Sequence, residues 1–135
     1  MNKTILIIED DLFVRELYER ILEKRGFVVE AVEDGIQGLE LARSKSFDLI
    51  LLDIMLPKKN GLAILKDLRE KGSSTERTPV FLLTNLGQES IVREAFRIGA
   101  DGYLLKARFL PKQVVEEIES FFLDENKRQQ DRVEE

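Results

Sequence analysis

The stretch TILIIEDD, Thr4 to Asp11, sets four aliphatic side chains side by side and then three carboxylates without a break. An apolar run that short, with no polar alternation, reads as a strand covered on both faces. Carboxylates about 4 Å apart repel by roughly 4 kcal/mol per pair at an effective dielectric near 20. The end of this strand therefore calls for proton sharing, a cation, or a structural use of the charge.

Four more runs of this kind follow: Phe27–Val32, Asp48–Leu52, Val80–Thr84 and Gly102–Leu105. Between them, apolar residues recur at helical spacing. Residues 12–25 carry Val14, Leu17, Tyr18, Ile21 and Leu22, with Gly26 as a stop. Residues 35–45 carry Ile36, Leu39 and Ala42 behind Asp34, a suitable cap. Residues 61–71 carry Leu62, Leu65 and Leu68 and stop at Gly72; residues 88–98 carry Ile91, Ala95 and Ile98 and stop at Gly99. Residues 111–123 carry Val114, Val115, Ile118, Phe121 and Phe122, with Pro111 near the first turn. Strands alternating with helices of this length predict right-handed βαβ crossovers and a parallel, doubly wound α/β sheet. In that architecture a site forms at the carboxyl ends of the strands, near the reversal in strand order. The polar stretch 72–79, GSSTERTP, is expected to be a loop. A single domain is expected over residues 1–123. The tail 124–135, DENKRQQDRVEE, has no apolar stripe and should either extend the last helix or be disordered.

The chain has 135 residues, 43% of them hydrophobic and 35% charged, as expected of one globular domain in water. No apolar run approaches the roughly 18 residues of a membrane span. MNKTILII lacks a small-residue cleavage site, so no signal peptide is expected. There is no cysteine, which fits a cytoplasmic protein, and no histidine, which removes the commonest general base and zinc ligand. A net charge of −5 argues against direct nucleic-acid binding.

The residues at or just past the strand ends are Glu9, Asp10 and Asp11; Glu33 and Asp34; Asp53; Thr84 and Asn85; and Lys106. A hard divalent cation with oxygen ligands suits such a set. Mg²⁺ takes one or two carboxylates, keeps several waters and shares oxygens with a phosphate. Beside it, the carboxylate ending the third strand can attack phosphorus and form an aspartyl phosphate. The metal and a lysine would neutralise the phosphoryl oxygens, and a threonine hydroxyl could hydrogen-bond one of them. Asp11, next to the helix start at Leu12, reads better as an N-cap. Glu33 and Asp34 read as turn and cap residues, and Lys58 and Lys59 as solvated.

Four pieces, ILIIEDD, FDLILLDIMLP with NG shortly after, PVFLLTN and GADGYLLK, occur in the order and spacing of one family. Over about residues 3–123 the chain resembles the receiver domain of two-component response regulators, the CheY-like family. The resemblance implies the flavodoxin-like strand order 2-1-3-4-5. It implies that Asp53 is the phosphoacceptor. Glu9 and Asp10 would hold Mg²⁺, or Mn²⁺ in its place, together with Asp53 and the backbone carbonyl of Met55. Thr84 would be the switch hydroxyl, Lys106 the phosphate-pairing cation, and Tyr103 the switch aromatic. The implied donor is the phosphohistidine of a sensor histidine kinase or histidine phosphotransfer protein. The implied output is a change in the face of helix four, strand five and helix five, toward a downstream protein or a second copy. Such a domain is a signalling receiver, not an enzyme.

Two positions depart from the family. Ala107 follows Lys106 where the family has a proline in a cis bond, so either Lys106–Ala107 is cis or the loop takes another path. Asn85 stands where the family has a smaller residue, and altered phosphorylation and hydrolysis rates are expected. A competing reading is a pseudo-receiver that only binds proteins; the intact set of acids, Thr84 and Lys106 argues against it. The D-x-D of an aspartyl phosphohydrolase is missing from LLDIMLP, and neither common phosphate-cradling glycine motif occurs.

Overall fold

The computed structural model describes residues 2–134, with side chains described as far as residue 126. Five strands alternate with five helices: β1 Thr4–Ile8, α1 Leu12–Lys24, β2 Val28–Val32, α2 Gly35–Ser44, β3 Leu49–Leu52, α3 Gly61–Leu68, β4 Val80–Thr84, α4 Glu89–Ile98, β5 Gly102–Leu105 and α5 Pro111–Glu134. All neighbouring strands are parallel, in the order β2-β1-β3-β4-β5.

The unbroken apolar runs are explained by two cores. On one face Ile5, Ile7, Leu49, Leu51, Phe81 and Leu83 meet Tyr18 and Leu22 of α1 and Val114, Val115, Ile118 and Phe122 of α5. On the other face Leu6, Ile8, Ile50, Leu52, Val80 and Leu82 meet Ala42 of α2, Ile64, Leu65 and Leu68 of α3 and Ala95 of α4. Successive strand residues point to opposite faces, so a strand between two helical layers has no position to give to a polar side chain.

Local hydrogen bonds adjust the expected boundaries. The Phe27 N–H turns back to the Leu22 carbonyl at 3.1 Å, so β2 begins at Val28. The helix expected over 61–71 ends at Leu68. The hydroxyls of Ser73 and Thr75 donate to the Leu68 carbonyl at 3.2 and 2.8 Å, in place of a further helical turn. Thr75 is buried, so the polar stretch 72–79 is tied into the body of the fold. The last helix continues from 123 to Glu134. Residues 124–134 are rich in glutamate, lysine, arginine and glutamine, which favour helix without an apolar stripe. Among the described residues, no helix is long and apolar enough to cross a membrane.

Candidate functional site

The strand order reverses beside β1: the chain leaves β1 for β2 on one side and returns to β3 on the other. That reversal opens a crevice at the carboxyl ends. Ile8 and Leu52 are in register, and the Asp53 N–H donates to the Ile8 carbonyl at 3.1 Å. Glu9 and Asp53 therefore leave neighbouring strands at the same level. Thr84 and Leu105 are likewise in register, and the Lys106 N–H donates to the Thr84 carbonyl at 2.9 Å. Sheet register, which is fixed by burial of both faces, thus brings Glu9, Asp53 and Lys106 from three strands to one place, with Thr84 paired to the Lys106 strand by its backbone.

Glu9, Asp10 and Asp53 each present a carboxylate oxygen within 4.8 Å of the others. Glu9 and Asp53 are buried and Asp10 is exposed. The Lys106 ammonium lies 2.6 Å from Glu9 Oε1 and 3.0 Å from Asp53 Oδ2. Thr84 is fully buried, and its Oγ1 accepts the Leu86 N–H at 3.3 Å. A small cavity walled by Ile7, Val14, Tyr18, Leu51 and Leu83 lies against Glu9 and Asp53. Burial pushes the Glu9 carboxyl up to about 7, helped by the Asp53 charge and opposed by its hydrogen bond to Lys106. Burial alone would lower Lys106, but its bonds to Glu9 and Asp53 outweigh that and hold the ammonium above its ordinary range. Three acids face one cation. These are hard oxygen donors with a residual negative charge, which fits a divalent ion such as Mg²⁺ rather than a soft metal.

The other expected residues lie around this centre. Tyr103 is half-buried, donates its hydroxyl to the Leu86 carbonyl and stacks obliquely near Phe96, with centroids 6.4 Å apart. Asn85 is exposed just past β4. The Met55 N–H donates to Asp53 Oδ1 at 3.2 Å, and the Met55 side chain is largely exposed. Asp11 caps α1, its carboxylate accepting the Val14 N–H at 3.1 Å. Lys106–Ala107 is trans, and the loop takes the other path open to it: the Arg108 and Phe109 N–H groups both turn back to the Leu105 carbonyl.

One expectation is refined. Lys58 is exposed, as a solvated lysine should be, but both lysines also have carboxylate partners. The Lys58 ammonium lies 3.3 Å from Oδ2 of the buried Asp34, and Lys59 pairs with Asp67. Both contacts join residues 8 to 24 positions apart, so no helical periodicity announces them. Arg15 was also missed. Its guanidinium donates to the Glu9 carbonyl at 2.9 Å and the Asp10 carbonyl at 3.2 Å, bracing the acidic turn from inside α1.

Comparisons with known proteins agree with this geometry. The family profile for the response regulator receiver domain matches residues 5–119. The transcriptional activator protein PfeR of Pseudomonas aeruginosa is 45% identical over 76% of this chain and 32% of its own length. The transcriptional regulatory protein SrrA of Staphylococcus aureus is 36% identical over 85% of this chain and 46% of its own. The chain thus spans about a third to a half of the curated relatives it matches. The crystal structure of a CheY-like receiver domain protein from Methanospirillum hungatei superposes with a TM-score of 0.84 at 27% identity, covering 96% of this chain and 99% of that one. The register that gathers Glu9, Asp10, Asp53 and Lys106 and a family match along most of the sequence lead to one assignment: this chain belongs to the response regulator receiver domains of two-component signalling.

Proposed function

We propose that Asp53 is the phosphoacceptor of a phosphorylation-controlled switch. The observation that carries this reading is Asp53 itself: a buried carboxylate at the strand reversal, 3.0 Å from Lys106 and within 4.8 Å of two further acids. An Asp53 oxygen attacks the phosphorus of a phosphohistidine on a sensor histidine kinase or histidine phosphotransfer protein. The new O–P bond forms as the N–P bond breaks, and the imidazole leaves with the bonding pair and takes up a proton. A bound Mg²⁺, or Mn²⁺ in its place, would offset the charge of the acids and of the phosphoryl oxygens. Glu9, Asp10, Asp53 and the Met55 carbonyl are the groups that would hold it. Lys106 pairs with one phosphoryl oxygen and the Thr84 hydroxyl donates to another. Thr84 then gives up the Leu86 N–H, and Tyr103, bonded to the Leu86 carbonyl, follows the same loop. The face of α4, β5 and α5 changes in consequence, toward a downstream protein or a second copy.

The domain hastens its own phosphorylation and hydrolysis without being an enzyme for an external substrate. It works in the cytoplasm and makes no direct contact with nucleic acid. Asn85, exposed beside Thr84, tunes both rates by narrowing the approach to phosphorus.

Intact mass after exposure to a small phosphodonor tests the reading. The wild type should gain one phosphoryl group only with Mg²⁺, and Asp53→Asn should gain none. A gain in both proteins, or in neither, overturns the assignment and favours a module that only binds proteins. In the same assay Asn85→Ala should shift formation and decay by several-fold; unchanged rates would remove Asn85 from the site.

A further inference from the structure

The loop from Asp53 to Gly61 is drawn together at its base. The Ile54 carbonyl accepts both the Leu56 N–H at 3.0 Å and the Gly61 N–H at 2.8 Å. Gly61 sits so close to its start that a Cβ there would lie 2.1 Å from the Asp53 carbonyl oxygen. At the far tip the Lys59 N–H donates to the Pro57 carbonyl at 2.7 Å, closing a three-residue turn around Lys58. Lys58 has φ 68°, the only positive φ at a non-glycine position among the described residues. A turn of this kind is rare and strained, and a long side chain has no local reason to occupy it. Such strain persists where the surroundings over-determine the conformation.

The surroundings are the first turn of α2. Asp34 is buried at its N-cap, with Oδ1 accepting the Gln37 N–H at 2.8 Å and Oδ2 lying 3.3 Å from the Lys58 ammonium. The next carbonyl, that of Lys59, presses against Gly35, where a Cβ would lie 2.4 Å from its oxygen. The tip is thus held by a charge pair and by a close contact on the same helix turn. The near limb of the loop carries Met55, whose N–H already orients Asp53 Oδ1 at 3.2 Å.

We propose that the Asp34–Lys58 pair is a clamp that fixes the shape of the Asp53–Gly61 loop and thereby positions the Met55 carbonyl and the Asp53 carboxylate for a divalent cation. This rests on the metal site described under the proposed function. Lys58 and Asp34 are positioning residues: neither belongs to the donor set itself. The pair separates charge from backbone strain, and three substitutions test the two apart. Lys58→Met keeps a side chain in the strained turn but removes the ammonium. Lys58→Arg keeps the charge. Asp34→Asn keeps the cap, since asparagine caps as well as aspartate, but removes the carboxylate.

Mg²⁺ affinity by isothermal titration calorimetry, with melting temperature and the Met55 amide resonance of the metal-free protein, is the measurement. Lys58→Met and Asp34→Asn should each weaken Mg²⁺ binding about three- to tenfold and shift the Met55 resonance. The double variant should be no weaker than either single, because one interaction is lost once. Lys58→Arg should bind within twofold of wild type. Should wild type bind Mg²⁺ while Lys58→Met and Asp34→Asn bind equally well, the clamp is refuted and the metal site stands. If wild type binds no Mg²⁺, the underlying site is refuted and the clamp falls with it. A drop in affinity that tracks melting temperature alone, with the Met55 resonance unmoved, also refutes the clamp.

Discussion

Two largely buried cations sit at opposite ends of the sheet, and their surroundings differ. Arg69, just past α3, serves the amino ends of β4 and β5. It donates to the Gly99 carbonyl at 3.1 Å, the Thr75 carbonyl at 3.2 Å and the Asp101 carboxylate at 3.0 Å. That carboxylate also accepts the Val80 N–H at 2.8 Å. One positive charge meets one negative charge, and the remaining bonds go to neutral backbone. At the carboxyl ends Lys106 faces Glu9 and Asp53 directly, with Asp10 beside them. The first cluster is balanced and ties α3, α4 and two strands together. The second retains excess negative charge that the fold does not need. A polar cluster that closes on itself reads as architecture. One that keeps unrelieved repulsion reads as a site awaiting a partner charge, because such repulsion is a cost to stability that function must justify.

Substitutions at the two ends can break or sharpen that contrast. Arg69→Ala should have the largest effect on stability, a loss of about 3 kcal/mol, because Asp101 and two carbonyls lose their partner. Its Mg²⁺ affinity should stay within twofold of wild type. Thermal unfolding and a metal titration together check this; affinity falling in step with stability would mean that the two ends are not separable. Lys106→Met should cost the metal-free protein about 2 kcal/mol by leaving two buried carboxylates without a cation. Most of that loss should return at saturating Mg²⁺, since a ligand bound only by the folded state stabilises it. Denaturant titrations in chelator and in Mg²⁺ would show it, and no recovery would mean that the acids are not short of positive charge.

The remaining test uses pH rather than a substitution alone. Glu9 holds its proton more tightly in the folded chain, at about 7, than at its ordinary 4.5. Its contribution to stability is therefore complete below about 4.5 and is lost as pH rises through about 7. The metal-free protein should weaken by up to about 3 kcal/mol across that window, while Mg²⁺ binding strengthens as the proton leaves. Glu9→Gln should flatten the stability slope. If the slope survives in that variant, the proton belongs to another group.

Much of this was readable in advance because it is local or periodic. Unbroken apolar runs announced strands covered on both faces, and their terminal residues named the acids, Thr84 and Lys106. Asp11 and Asp34 announced themselves as caps by standing just before helical patterns. Boundaries shifted where a side chain outside the periodic pattern took a backbone group, as Thr75 does at the end of α3. Arg15 and Arg69 escaped notice, and Lys58 was read only as solvated, for a related reason. Each is a long cation whose partners are chosen by folding, and on a linear chain it looks like any solvated charge.

The order of residues by itself determined the alternation of strands and helices, the family resemblance and the set of side chains brought to the strand ends. It did so because period, capping and apolar runs are properties of short segments. Only the tertiary structure decided which charges face one another. Lys106 reaches Glu9 and Asp53 through a trans loop that could have run elsewhere, and Lys58 reaches Asp34 across a strained turn. Such contacts depend on register and close approach between segments distant in sequence, and those are settled only when both cores are buried together.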